Sequence, residues 1–324
     1  MAGNEIFAGL GQGNVACLGE CMVELVERPD GLLARGYGGD TLNTAVYLAR
    51  LDVPVRYVTA LGDDDLSDAM LAAWSREGID VSSVFRVPGR VPGLYLIRTD
   101  SEGERHFTYW RDSAPVRQLF DETSAQAAEK ALAAASVIYL SGISLSLFSG
   151  EARGRLFGSL GRLRQGGRRI VFDSNFRPRG WRDISDALEA YDQILRMADM
   201  VLAGEDDFKL LNQTTGASLI DFLARYELPE VVVKLMKPGC VVLAEGSRTD
   251  VPVAAVVQPL DTTAAGDSFA AAYLAARLKG MRPAKAAIAG HALASVVIRH
   301  SGAILPQDAM PADLFGTPSN LDQS

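Results

Sequence analysis

The constraint that most limits the fold is an alternation that runs through most of the chain. Short apolar runs rich in β-branched residues take turns with segments of helical period. "RYVTALG" follows the helical "NTAVYLARL", and "SVIYL" follows an Ala-rich helix. "RRIVFDSN" follows a helix around residues 154–165, "DMVLAG" follows "YDQILRM", and "EVVVKLM" follows "LIDFLARY". Parallel strands need a crossover between them, and a helix is the usual one, so the pattern predicts an α/β fold with a mostly parallel sheet between helical layers. In such sheets ligands bind outside the carboxyl ends of the strands. The residues just past "VFD", "VLAG" and "VVVK" are therefore site candidates by position alone.

The 324 residues, 48% hydrophobic and 22% charged, suit one large domain with a small appendage. The net charge of -8 argues against nucleic-acid or membrane-surface partners, which select for a basic face. Cys17, Cys21 and Cys240 form no CxxC pair and read as buried free thiols of a cytoplasmic protein. His106, His291 and His300 lack the spacing of a structural zinc site. The first residues carry no signal-peptide pattern. Residues 131–148 are uncharged, but the Ala-rich start, the run "SVIYL" and the Ser/Gly chemistry after it read as a helix end, a strand and a loop, not a membrane span. Gly9, Gly11 and Gly13 precede the first strand, "VACLGE", so they do not make a dinucleotide fingerprint, which must follow a strand and open a helix. The expected organisation is a flexible tail over 1–14, one domain over 15–310 and a peripheral tail over 311–324.

Two segments interrupt the alternation, at about 20–39 and 91–112. The first has two extended runs around "PDG"; the second has alternating residues on both sides of "DSEGE", a hairpin signal. Residues two apart on a strand share a face, so Phe107, Tyr109 and Arg111 point one way and His106, Thr108 and Trp110 the other. Such strands can form a small sheet that serves as a lid.

The stretch "DTTAAGDSFAAAYLAARLKG" carries the chemistry. From Phe269 it reads as a helix, with Arg277 and Lys279 in the last turn and Gly280 as its stop. A helix start offers unpaired N–H groups and partial positive charge to an anion, and small residues let a phosphate approach the backbone. Asp267 then stands beside that anion, where a carboxylate can take a hydroxyl's proton in phosphoryl transfer. The dipole is expected to keep Asp267 ionised. The competing reading is an N-capping Asp on an ordinary helix. No GxxxxGK[ST] and no HRD or DFG set is present, which disfavours P-loop and protein-kinase mechanisms.

"DTTAAGDSF" resembles the C-terminal signature of the ribokinase-like (PfkB) carbohydrate kinases, and "YGGDTLNTAVYLARL" resembles their N-terminal Gly-Gly signature. "GECMVEL", "YVTALGDD", "PGLYLIRTDSEGERHFTYWR", "LSGISLS" and "FDSNFRPRGW" are similar to the 2-keto-3-deoxygluconate kinases within that family, and the resemblance spans residues 15–310. It implies a three-layer ribokinase-like domain with a β-sheet lid, ATP and Mg2+ as cofactors, a sugar acid as substrate, and a homodimer or higher homo-oligomer assembled through the lid. Asp267 would be the base, and the backbone of Ala264, Ala265 and Gly266 the anion hole. Gly39, Asp40 and Asn43 would bind the sugar chain; Asp40 also reads as an N-cap for the helix after it. Tyr95, Tyr109, Arg111 and Arg177 would line the acidic end, where two arginines could clamp one carboxylate. Lys234, Gly239, Thr262, Thr263, Gly266, His291 and Ser295 would bind the nucleotide. Asp261 and Thr263, with the loop at 301–303, match where relatives hold a monovalent cation such as K+.

The chain departs from the family at two places. "VVVKLMKPGC" has Leu235 and Met236 where relatives have Gly, and "AGEDDF", with Gly204 and Asp207, stands where relatives carry an Asn-x-x-Glu element near the metal. The alternatives are another sugar kinase of the family, such as a fructokinase, or a non-catalytic sugar-binding regulator on the same fold. A dehydrogenase is more distant, because its glycine fingerprint is misplaced.

Overall fold

The structure, a computed structural model, describes residues 6–7, 13–100 and 105–315. Gly9, Gly11, the tip of the second hairpin and the end of the C-terminal tail lie outside the described residues. The strands are β1 (Val15–Leu18), β2 (Met22–Glu27), β3 (Leu33–Gly38), β4 (Val55–Leu61), β5 (Val84–Arg86), β6 (Leu94–Thr99), β7 (Arg105–Trp110), β8 (Val137–Ser141), β9 (Arg169–Asp173), β10 (Met200–Gly204), β11 (Glu230–Lys234), β12 (Cys240–Ala244) and β13 (Ser247–Val251). The helices are α1 (Asp40–Arg50), α2 (Asp65–Arg76), α3 (Ala125–Ala133), α4 (Gly142–Ser146), α5 (Gly150–Gln165), α6 (Ile184–Leu195), α7 (Glu205–Asn212), α8 (Gly216–Ala224), α9 (Ala265–Leu278) and α10 (Pro283–Val297).

The large sheet has the order β13-β12-β11-β10-β9-β8-β1-β4-β5. It is parallel from β5 to β11, and β12 and β13 return antiparallel. The chain leaves β1 toward β4 on one side and comes back to β8 on the other. The strand order therefore reverses between β1 and β8, which opens a crevice at their carboxyl ends.

Period-two alternation divides each strand between two cores. Val15, Cys17, Val137, Tyr139 and Val171 face one core, with α1, α9 and α10; Ala16, Leu18, Ile138, Leu140, Ile170 and Phe172 face the other, with α3, α5 and α6. Burial on both faces is why these strands read as continuous apolar runs. Helix α9 is buried along nearly its whole length, and Ala270, Ala271, Ala272, Ala275 and Ala276 have no exposed surface. The small side chains let α10 pack close, and Gly290 lies so near Phe269 that a methyl group there would sit 2.7 Å from the ring.

Arg277 does occupy the last turn of α9, but its cation is inside the protein. Its Nε donates to Glu230 Oε1 at 3.0 Å and its Nη2 to Glu230 Oε2 at 2.9 Å, while the Tyr273 hydroxyl donates to Glu230 Oε1 at 2.7 Å. This network pins α9, whose first turn belongs to the site, to the start of β11.

The smaller sheet has the order β3-β2-β6-β7, with β2 and β6 parallel. Tyr95, Phe107 and Tyr109 are ring neighbours on one of its faces, with centroids 5.8 to 6.4 Å apart.

Three expectations need amending. Ile6 and Phe7 of the supposed loose tail are buried in the α9 core, with the Arg277 guanidinium over the Phe7 ring. At the other end, Leu314 and Phe315 pack on the same core. After "SVIYL" the chain forms the short helix α4, not a loop: Ser141 caps it and the Ser144 hydroxyl donates to the Leu18 carbonyl at 2.7 Å.

The Glu230 network gives a stability prediction. Glu230→Ala should lower the unfolding free energy by about 3–5 kcal/mol, because it leaves a buried guanidinium unpaired. The double variant Glu230→Leu/Arg277→Met should lose less than the single one in a urea titration. A larger loss in the double variant would contradict this account of the pair.

Candidate active site

The site lies at the carboxyl edge of the large sheet, where β1, β8, β9 and β11 end and α1 and α9 begin. Ala264 is the N-cap of α9 and has left-handed backbone, φ 59°, which for a residue with a Cβ costs roughly 1 kcal/mol. Two features leave the helix start open. No side chain caps it, and Asp267, three residues inside, is not a cap. Its carboxylate turns toward α1 instead, where Asn43 Nδ2 donates to Asp267 Oδ2 at 2.8 Å.

The first turn of α1 is fixed by close backbone packing. A Cβ on Gly39 would collide with the Glu20 carbonyl, and one on Gly38 with the Tyr95 hydroxyl. The Gly-Gly pair is thus required by space at the join between lid and sheet. Gly39, not Asp40, is the N-cap of α1. Asp40 sits in the first turn, and its Oδ2 accepts from Asn175 Nδ2 at 2.7 Å. Asp40 Oδ1 and Asn43 Oδ1 are buried and have no hydrogen-bond partner among the described residues. Leaving such atoms unpaired is costly, and a ligand hydroxyl or amide would relieve the cost.

Lys234, at the end of β11, reaches across β10 to Asp173 at the end of β9. Its Nζ donates to Asp173 Oδ1 at 2.9 Å and Oδ2 at 3.0 Å. A methyl group added to Gly266 would lie 3.5 Å from that Nζ, so the ammonium borders the open start of α9. The Tyr139 hydroxyl is 3.3 Å from Asp173 Oδ2. The Thr44 hydroxyl lies 3.3 Å from that of Tyr139 and 3.4 Å from the Asp267 carbonyl. α1, β8, β9, β11 and α9 are thereby joined in one polar network.

Acids dominate its electrostatics. Burial, then the negative charge of Asp40 and Asp173, push the Asp267 carboxyl up to about 8, against the opposing Asn43 hydrogen bond and Lys234 charge. This reverses the expectation that the helix dipole keeps Asp267 ionised. Burial also raises Asp40, against the hydrogen bond from Asn175. Asp207 is pushed up to about 6 by burial. Burial works against the Lys234 charge, but Asp173 and Asp207 outweigh it and hold the ammonium protonated.

Arg111 and Arg177 each have a carboxylate of their own. Arg111 is ion-paired with the buried Glu20, and Arg177 Nη1 donates to Asp207 Oδ1 at 3.1 Å. They share no partner among the described residues. The Tyr95 hydroxyl is hydrogen-bonded to Glu24 Oε2 at 2.5 Å, and Tyr109 stays exposed on the lid.

Among the nucleotide candidates, Gly239 ends the short loop between β11 and β12, with φ 127° and a hydrogen bond from the Leu235 amide to its carbonyl. At the "AGEDDF" departure, Glu205 accepts from the Gly216 amide at 2.7 Å and the Met236 amide at 2.9 Å, which ties this loop to the start of α8. His291 is half-buried against Phe269 and 3.3 Å from the Val251 carbonyl, and burial lowers its basicity. Ser295 bonds back to its own helix at Ala292. Asp261 Oδ1 accepts from the Thr263 amide and hydroxyl at 3.0 and 2.7 Å, and its Oδ2 from the Gly302 amide at 2.8 Å. Thr262 is exposed beside them. No cluster of three or more His, Cys, Asp or Glu that could hold a metal ion occurs among the described residues.

Sequence reasoning missed Glu20, Glu24, Tyr139 and Asp173, while Asn175 falls among the residues just past "VFD" that were candidates by position. For Asp173 the signal existed, since it ends that strand. Glu20, Glu24 and Tyr139 are recognisable only once lid, sheet and α1 are placed together.

The chain matches the pfkB family of carbohydrate kinases over residues 12–310. It is 41% identical to the 2-dehydro-3-deoxygluconokinase of Dickeya dadantii (strain 3937) and 43% identical to that of Escherichia coli (strain K12). Each alignment covers 92% of this chain and 99% of the relative. It superposes with a TM-score of 0.76 on the crystal structure of a fructokinase with bound ATP from Xylella fastidiosa, over 93% of this chain and 96% of that one. At 22% identity, that likeness is one of fold. The open helix start with its half-buried aspartate, the lid and the sheet order thus accompany a match over nearly the whole chain, and the protein belongs to the pfkB family of carbohydrate kinases.

Proposed function

We propose that this protein is an ATP- and Mg2+-dependent kinase that phosphorylates 2-keto-3-deoxy-D-gluconate on its 6-hydroxyl, giving 2-keto-3-deoxy-6-phosphogluconate. The observation that carries the reading is Asp267 beside an open, amide-lined helix start, in a chain 41–43% identical to kinases named for this substrate.

In the reaction the 6-hydroxyl oxygen attacks the γ-phosphorus of ATP, the bond to the bridging oxygen breaks, ADP leaves, and the hydroxyl proton passes to the ionised form of Asp267, whose share grows as pH rises toward 8. Asn43 engages Oδ2 and so leaves Oδ1 for that proton. The backbone of Ala264, Ala265 and Gly266 shapes the hole for the equatorial oxygens, and the α9 dipole stabilises their charge. Lys234 stands at its edge as a point charge. Asp40 and Asn43 meet sugar hydroxyls with their unpartnered oxygens, next to Gly39.

The carboxylates at this edge, Asp207 foremost, fit the oxygen ligands that Mg2+ takes, directly or through water, and the ion supplies charge neutralisation on the phosphates. Gly239, Thr262, Thr263, His291 and Ser295 line the nucleotide side. Asp261, Thr263 and the carbonyls of 301–303 would hold K+. Replacing K+ by tetramethylammonium should then lower turnover. Exposed Leu33 and Trp110, on one face of the lid, support a homodimer through that sheet, and three buried, unpaired cysteines suit the cytoplasm.

Arg111 and Arg177 are the residues assigned to the substrate carboxylate. Each already faces a protein carboxylate, so binding must exchange or share those partners.

A coupled ATP assay across keto-deoxy sugar acids and neutral hexoses tests the substrate. Highest kcat/KM for 2-keto-3-deoxygluconate is expected, and a preference for fructose would transfer the assignment to a fructokinase. Arg111→Lys keeps a charge for Glu20 but loses the planar fork, and should raise KM for the keto acid at least about tenfold while leaving a neutral analogue unchanged. An equal rise for both would remove the clamp. Asp267→Asn should fold and lose nearly all turnover; near-normal kcat would sink the base.

Stability should carry the same signature. Between about pH 4 and 8 native Asp267 keeps a proton that the unfolded chain, with an ordinary carboxyl, has lost. Wild-type stability therefore falls as pH rises through that window. The Tm advantage of Asp267→Asn should be larger at pH 8 than at pH 5, and a constant difference would contradict the shift.

A further inference from the structure

Asp173 has no part in the reaction as written, yet it is one of the most enclosed charged groups near the site. It is 2% exposed at the end of β9. Both carboxylate oxygens face Lys234, at 2.9 and 3.0 Å, and the Tyr139 hydroxyl is 3.3 Å from Oδ2. A partly buried ion pair of this kind is weak evidence for stability, since removing two charges from water offsets most of their attraction. Its placement suggests another purpose. Lys234 joins a strand at the centre of the fold to the open start of α9, and its Nζ sits 3.5 Å from where a methyl group on Gly266 would be. An ammonium has three donors, and the hydrogen bonds that Lys234 makes among the described residues go to Asp173 alone. A donor therefore remains for an oxygen arriving at the anion hole.

The surroundings also decide where an unrestrained Lys234 would go. Asp207 and Asp267 both act on its charge. A long, flexible ammonium facing several carboxylates will pair with whichever is nearest unless one holds it. Pairing with Asp267 would occupy the base. Asp173, itself oriented from β8 by Tyr139, draws the cation to the other side of the hole.

We propose that Asp173 is a positioning residue for phosphoryl transfer: it holds Lys234 at the rim of the anion hole and away from Asp267, so that the ammonium meets the transferred phosphoryl group. This rests on the reading of α9 as the phosphoryl site, not on the identity of the sugar. The role is mediated by Lys234, so its loss should be invisible once Lys234 is gone.

The test is a double-mutant cycle on the full-length protein, run with whichever acceptor the wild type phosphorylates best. A different preferred sugar would then overturn the substrate assignment without touching this proposal. Lys234→Met should lower kcat on the order of 10²-fold, as loss of one electrostatic contact to a transition state does. Asp173→Asn should lower kcat comparably with KM for the sugar unchanged, and Asp173→Asn/Lys234→Met should be no worse than Lys234→Met. Tyr139→Phe, which preserves the packing if Asp173→Asn does not fold, should lower kcat several-fold in the wild type and not at all in Lys234→Met. Multiplying losses in either double variant, wild-type kcat in Asp173→Asn, or losses confined to KM for the sugar would overturn the proposal.

Discussion

The crowding of carboxylates around one ammonium at the edge of a parallel sheet is the constraint on which the rest of this structure depends. Asp40, Asp173, Asp207 and Asp267 come from different elements and converge because those elements all end or begin at the same edge. Each is costly to bury ionised, and the chain lowers the cost in different ways. Asp173 has Lys234, Asp207 has Ser174 and Arg177, and Asp40 has Asn175. Among the described residues Asp267 has Asn43 and the influence of Lys234, and burial with the charges of Asp40 and Asp173 raises its affinity for a proton. Once ionised, a carboxyl so poised is a stronger base than an exposed aspartate, which suits an alcohol donor. Among the described residues the same edge leaves Asp40 Oδ1 and Asn43 Oδ1 unpaired, and ligand hydroxyls would give them partners.

Around this edge, burial and hydrogen bonds fix the elements that carry the candidate site. The Ala-rich α9 is buried on every side and anchored at its far end by Glu230 and Arg277. Its first turn consequently has a fixed place relative to β11 and Lys234. The lid joins the sheet through Glu20, Gly38 and Gly39, where close backbone contact and the Glu20–Arg111 pair connect it to the site.

Most of the scaffold was legible in the sequence, because its signals are local. Strands buried on both faces announce themselves as apolar runs, and the small residues before Phe269 mark a helix start meant to stay open. The rule that sites follow strand ends led to Ser174, Asn175 and Glu205. Long-range electrostatics were not legible. Asp267 reads as ionised when only its own helix is considered, and holds its proton more tightly once the fold buries it and brings Asp40 and Asp173 beside it from more than ninety residues away in sequence. Arg111 and Arg177 likewise look like free cations until the fold supplies Glu20 and Asp207. Ile6 and Phe7 look like part of a loose tail because two apolar residues among glycines and polar residues carry no period; only the groove beside α9 explains them.

The central claim is that burial and neighbouring acids turn Asp267 into the base. The most direct measurement is the 13C shift of its carboxyl carbon against pH in the ligand-free protein, assigned by its disappearance in Asp267→Asn. The account predicts a titration well above the ordinary aspartate range, near pH 8. A midpoint near 4 would contradict it, and would return Asp267 to the ionised aspartate that its helix position alone suggests.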